Sequence, residues 1–102
     1  MTDSMVCLHC LQETLTETKR NIGKFSTSPS TKHGLFTTCI EPEGDGWVVF
    51  FVFFTGKSRV EWFEDVYEAC MTLICRISDE EDCVELLRAF DRKCRNNGIY
   101  HY

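Results

Sequence analysis

The feature that most constrains the fold is a run of eight consecutive apolar residues, WVVFFVFF, at positions 47–54. A strand with one face in water alternates apolar and polar side chains, so an unbroken run predicts a strand covered on both faces. Turn-forming residues bound the run, EPEGDG before it and TGKS after it, and shorter apolar runs lie beyond each turn. These patterns predict three antiparallel strands joined by two hairpins over about residues 35–63.

The residues before this sheet predict one helix and one loop. Apolar residues three and four apart over residues 4–20 predict an amphipathic helix with Ser4 as its N-cap. Residues 5–11 also alternate as a short strand would, so both interpretations stay open for that segment. Serine and threonine dominate residues 24–34, which predicts a mobile loop, with a short edge strand at residues 24–27 as the alternative.

Helical periodicity returns after the sheet. A helix is predicted from Glu64, because residues 66–77 place their apolar side chains on one face. Another helix is predicted after Ser78, which forms an S-x-x-E capping box with Glu81. The Asn-Gly pair at residues 97–98 is a typical end for that helix.

The chain therefore predicts an α+β fold, in which an N-terminal helix and two C-terminal helices pack on a three-stranded antiparallel sheet. At 102 residues it has the length of one domain, so we expect a single compact domain over residues 1–102. Aromatic residues make up 13% of the chain and supply the buriable surface that disordered chains lack.

The charge balance argues against nucleic acid as a partner. Sixteen acidic residues against 11 Lys and Arg give a net charge of −5, the wrong sign for displacing phosphate counterions. The order helix, strands, helix also occurs in double-stranded-RNA-binding domains, so an RNA-binding domain is an alternative hypothesis at the level of the fold. Those domains carry a basic helix N-terminus after the sheet, whereas Glu64, Asp65 and Glu68 are acidic. No apolar run reaches the length of about 20 residues that spans a bilayer, so no membrane association is expected.

Seven cysteines are an odd number, and the first residues carry no basic segment of a secretory signal. We therefore expect reduced cysteines in an intracellular, cytoplasmic protein, with the nucleus not excluded. Cys7 and Cys10 have the C-x-x-C spacing at which two thiolates share a zinc ion. A zinc-stabilised small domain is accordingly an alternative hypothesis, although it needs two further ligands; no other cofactor is predicted.

A catalytic function is not predicted. Nucleophilic or acid–base catalysis needs a nucleophile, a base and an orienting group brought together. The three histidines, His9, His33 and His101, lie near the chain ends or in the polar loop, and nothing in the sequence places one beside a cysteine or serine.

The excess of apolar sheet surface carries the functional prediction. Helices on one face of the sheet leave the other face to be covered by the N-terminal helix or by another chain. The sequence thus predicts a small acidic protein-interaction module, a homodimer, that blocks or adapts another protein as viral or phage accessory factors and inhibitors do. The predicted partner-binding residues are aromatic and acidic, namely Glu43, Asp45, Trp47, Glu61, Trp62, Glu64 and Asp65.

Overall fold

A computed structural model describes residues 2–18, 20–27 and 34–100. The predicted α+β class is confirmed. In chain order the elements are α1 (Asp3–Glu17), β1 (Lys24–Ser26), β2 (Thr37–Glu43), β3 (Gly46–Phe53), β4 (Gly56–Phe63), α2 (Val66–Ile77) and α3 (Glu80–Asn96). None of these helices combines the length and the apolar character needed to cross a lipid bilayer.

The sheet has four strands in the order β1-β2-β3-β4, so the prediction of three strands is wrong by one. The two predicted hairpins are present, because β2, β3 and β4 pair antiparallel. The additional strand, β1, pairs parallel with β2 and makes the sheet mixed. It is only three residues long, and its strand conformation depends on pairing with residues 37–39, which local composition does not reveal.

The predicted mobile loop at residues 24–34 is therefore wrong at its start, where the alternative of a short edge strand is correct. Phe25 anchors this strand by packing against the main core. Residues 28–33, the rest of the Ser/Thr-rich segment, lie outside the described residues.

The helices form two further layers, and α2 is the one that packs on the strands. α1 and α3 pack against α2 and against each other. The main core lies between the sheet and α2 and continues among the three helices, where Leu11, Leu73, Ile74 and Phe90 are fully buried. The prediction that all three helices pack on the sheet is thus correct for α2 alone.

The face of β3 turned away from α2 is already covered within the chain. Val48 and Phe50 on that face are buried, as is Cys39 on β2, and the three form a second, smaller core. The ammonium of Lys57 lies 4.4 Å from the centre of the Phe50 ring. The expected open apolar face, on which the homodimer prediction depended, is therefore absent at these positions, and α1 does not supply its cover.

Helix starts differ by a residue or two from those predicted. α1 is a helix, as its periodicity indicates, but Thr2 rather than Ser4 is its N-cap, accepting a hydrogen bond from the third helical N–H. α3 is capped by Asp79, whose carboxylate accepts from the third helical N–H at 2.9 Å. Ser78 instead donates its hydroxyl proton to the Ile74 carbonyl at the end of α2. The capping box was predicted one residue too early because Ser78 serves the preceding helix.

A β-bulge interrupts the pairing of β3 with β4. Val49 pairs with Glu61 and Phe51 pairs with Ser58, so two β4 residues, 59 and 60, lie opposite one β3 residue. Arg59, within the bulge, has a φ of 52°. A bulge bends its strand and leaves ladder groups unpaired, which re-aims side chains at that point of the sheet.

Arg76 from the last turn of α2 fills the hydrogen-bonding gap at this bulge. Its Nη1 donates to the Arg59 carbonyl at 2.6 Å and to the Val49 carbonyl at 3.4 Å, and its Nη2 pairs with Glu61 at 3.0 Å. One guanidinium thus ties α2 to both strands of the irregular pair.

Candidate functional site

Exposed apolar side chains gather at the end of the sheet where β3 turns into β4 and the chain enters β2. Phe54 is 70% exposed, Phe36 is 47% exposed, and Leu35 and Phe53 are each 41% exposed. Phe51, partly buried, lies beneath them on the face of the sheet that α2 covers. We call these five residues the aromatic cluster.

Ring contacts hold the aromatic cluster together. The Phe36 ring centre lies 5.5 Å from that of Phe54, with the planes at 90°, and 5.7 Å from that of Phe53, with the planes at 67°. Phe53 and Phe54 are 5.1 Å apart, also edge to face. Edge-to-face pairs at such distances are favourable beyond simple area burial. The rings therefore form one continuous surface rather than separate exposed side chains.

Phe36 has an unusual backbone. Its φ is 61°, in the left-handed region that bulky side chains rarely adopt, and its N–H donates to the Val52 carbonyl at 2.8 Å. Holding a residue of this kind there costs on the order of 1–3 kcal/mol. Glycine or asparagine at this position would avoid most of that cost. The backbone conformation of Phe36 thus lowers the stability of the fold, while it holds an aromatic ring at the centre of an exposed cluster.

A cleft of about 290 Å³ adjoins the aromatic cluster. Phe51 and Phe53 form one side of it, so the cleft and the cluster share two rings. Its polar lining comes from hydroxyl and guanidinium side chains on β2, β4 and α2, namely Thr38, Ser58, Arg59 and Arg76.

Four of the seven predicted partner-binding residues lie at the other end of the sheet. Glu43 and Asp45 are exposed at the β2–β3 turn, and Glu64 is exposed just after β4. Trp62 joins this group by donating its indole N–H to the Glu43 carbonyl at 3.1 Å, while its ring lies against Gly46. These residues form an acidic surface around one half-exposed indole.

The other three predicted residues have structural contacts. Trp47 packs against the main core, and Glu61 pairs with Arg76. Asp65 is the N-cap of α2, where its carboxylate accepts from the Tyr67 N–H at 3.1 Å. The structure therefore does not bring all seven together in one surface.

The phenylalanines of the aromatic cluster were placed from the sequence in or beside the strands of the sheet, but the cluster was not identified as a separate surface at one end of it. Two adjacent phenylalanines at positions 53 and 54 run directly into the TGKS turn. A strand buries alternate residues, so one of two adjacent rings at a turn has no core to enter. That pattern was the available signal for an exposed patch.

Cys7 and Cys10, the predicted metal ligands, point into the core between the helices and are buried. Cys70 of α2 and Cys94 of α3 are buried in the same core. A hydrogen bond between the Cys7 and Cys94 thiols lowers the pKa of Cys7 and raises that of Cys94, while burial raises the pKa of Cys10 and Cys70. The side-chain amide of Asn97 donates to the Cys10 sulfur at 3.7 Å.

These thiols do not form a ready metal site. Within the part of the chain that the structure describes, no three His, Cys, Asp or Glu side chains are grouped so as to hold a metal ion. His9 instead pairs with Glu13 on the surface of α1, and His33 and His101 lie outside the described residues. All seven cysteines are free thiols. The zinc hypothesis therefore remains a prediction that requires the helices to rearrange.

The chain matches no protein-family model, no curated protein sequence and no solved structure.

Proposed function

We propose that this protein is a non-catalytic interaction module that binds a short segment of another protein through the aromatic cluster, and thereby blocks or adapts that protein. The observation that carries the proposal is the left-handed backbone of Phe36 beneath a half-exposed ring. An exposed side chain that adds backbone strain without filling the core is typical of a residue kept for contact with a partner.

The size of the aromatic cluster fits a short segment. Its exposed fractions, with Leu35 included, correspond to roughly 400 Å² of apolar surface, taking about 200 Å² for each whole side chain. Patches of about 300–600 Å² are the largest on typical monomers and are often functional. A stable protein pair buries about 800 Å² on each partner, so the aromatic cluster alone supplies about half of such an interface. This favours a partner segment over the predicted homodimer.

A non-catalytic function agrees with the protonation of the thiol on the exposed cysteine residue. Cys75 is the exposed cysteine residue, but its sulfur is partly buried; this burial, together with a hydrogen bond to Cys83, raises its pKa to about 11. A thiol with this pKa is almost entirely protonated at neutral pH and is a poor nucleophile. The acidic surface around Trp62 is a weaker candidate for the binding site, because the indole already packs on Gly46 and donates its N–H within the chain.

The proposal is tested by selecting a displayed random-peptide library on the full chain and measuring the affinity of the selected peptides for two variants. Phe54→Ser removes the most exposed ring, and we expect it to weaken binding at least tenfold. Met5→Ser is the matched control, because Met5 is 56% exposed on α1, which does not pack on the strands. Peptides that bind wild type and Phe54→Ser equally well, or a library that yields no binder, would overturn the proposal.

A further inference from the structure

The cleft beside the aromatic cluster contains polar groups that the fold does not use. Two of its four polar side chains already make hydrogen bonds or ion pairs with other residues of the chain. Arg76 is bonded to the carbonyls of the bulge and to Glu61, and the Ser58 hydroxyl donates to the Phe51 carbonyl at 3.3 Å. The other two, Thr38 and Arg59, line the same cleft without such contacts.

Thr38 is 5% exposed, yet its hydroxyl has no hydrogen-bond partner among the described residues. Every fully buried side-chain nitrogen or oxygen of the described residues does have a partner. The small exposed area of Thr38 must therefore include its hydroxyl oxygen, and this exposed area faces the cleft that Thr38 lines. A polar atom held in this way is ready to bond to a ligand group.

Arg59 contributes a positive charge to the same cleft. The bulge sets its backbone at a φ of 52°, and its guanidinium makes no hydrogen bond or ion pair with the described residues. Among the described residues, no acidic side chain lines the cleft, and Glu61, which lies nearby on β4, is already paired with Arg76. A chain of net charge −5 thus presents a locally basic cleft directly beside its exposed aromatic surface.

We propose that this cleft binds the carboxylate of an Asp or Glu side chain from the same partner segment whose apolar side chain packs on the aromatic cluster. The inference rests on the proposed function and names the chemistry of the partner. Arg59 supplies charge-assisted hydrogen bonds, the Thr38 hydroxyl donates one more, and Phe51 and Phe53 exclude water beside the carboxylate. The partner motif is an apolar residue close to an acidic one.

The test uses the same displayed library, selected in parallel on the full wild-type chain and on Arg59→Glu. We expect wild type to enrich peptides with Asp or Glu near an aromatic or aliphatic residue, and Arg59→Glu to enrich Lys or Arg at that position. For an acidic peptide selected on wild type, Arg59→Gln is expected to lower affinity about tenfold and Arg59→Lys to restore part of it. Arg88→Gln on α3, an exposed arginine remote from the strands, is the matched control and should have no effect.

The outcomes separate this inference from the proposed function. Peptides that need Phe54 but carry no acidic residue and tolerate Arg59→Gln would overturn the carboxylate site and leave the interaction surface standing. Peptides that ignore Phe54, or no peptides at all, would overturn both. Concentration-dependent self-association in sedimentation experiments that Arg59→Gln abolishes would also overturn the inference, because a second copy would then be the occupant of the cleft.

Discussion

Replacing Arg76 tests whether one guanidinium maintains the irregular end of the sheet. Arg76→Ala removes the hydrogen bonds that the guanidinium donates to the carbonyls of Val49 and Arg59, and it removes the ion pair with Glu61. A hydrogen bond to a charged group is worth about 1.5–3 kcal/mol, and an exposed ion pair about 0.2–1 kcal/mol. The 3.4 Å contact to Val49 is too long to count as a second full hydrogen bond, and the exposure of Glu61 places its ion pair at the low end of that range. We therefore expect Arg76→Ala to lower the free energy of unfolding by about 2–3 kcal/mol.

The assay is urea unfolding followed by circular dichroism, together with thermal melting. For a chain of this length the expected loss corresponds to a fall in melting temperature of roughly 10–20 °C. Glu61→Gln is the control, because it removes only the exposed ion pair and should cost about 1 kcal/mol or less. Arg76→Lys should fall between the two, since one ammonium cannot reach both strands at once. Equal losses for Arg76→Ala and Glu61→Gln would refute the role of the guanidinium at the bulge.

Four further expectations concern the cap of α3, the packing at Gly46, the ionisation of Tyr67 and the zinc hypothesis. Asp79→Ala should lower the free energy of unfolding by about 1 kcal/mol because it removes the N-cap of α3, and Ser78→Ala should lower it clearly less. If Ser78→Ala instead gives the lower urea midpoint, Ser78 is the N-cap, as the sequence predicted. Gly46→Ala should cost about 1–3 kcal/mol or prevent folding, because its Cβ would overlap the indole packed there, and unchanged melting would contradict that contact. Burial and an adjacent carboxylate raise the pKa of Tyr67 in the folded chain, so stability should be intact below pH 10 and fall above it. Tyr67→Phe should show a smaller fall in urea midpoint above pH 10 than wild type does. An identical fall in both proteins would contradict the assignment of this pH dependence to Tyr67. Under the zinc hypothesis, native mass spectrometry with equimolar zinc should show one bound ion that Cys7→Ser removes, whereas an unchanged wild-type mass contradicts it.

Local patterns predicted the parts of the fold that local physics determines. The period of about 3.6 residues in α2 and α3, and the turn residues around β3, identify helices and hairpins without knowledge of the rest of the chain. β1 is different, because its three residues form a strand only through pairing with residues 37–39, each thirteen positions later in the chain. The caps were missed for a related reason, since several candidate residues adjoin each helix start and tertiary packing selects one of them.

The site was harder to predict than the fold, because exposure depends on where each strand ends. Residues 47–54 form a uniform apolar run in the sequence, yet Phe50 is fully buried and Phe54 is mostly exposed. The difference comes from strand length: Phe50 lies within β3, in the second core with Cys39 and Val48, whereas Phe54 lies past Phe53, the last residue of the strand. The left-handed backbone of Phe36 and the β4 bulge have no signal in residue type, because neither Phe nor Arg is typical of such positions.

The most direct test of the central claim is to map the binding site of a library-selected peptide by changes in backbone amide chemical shifts of the isotope-labelled full chain. We expect the largest changes at residues 35–38, 51–54 and 58–59, which border the aromatic cluster and the cleft. Changes concentrated instead at Glu43, Asp45, Trp62 and Glu64, at the opposite end of the sheet, would contradict it and would support the surface inferred from the sequence.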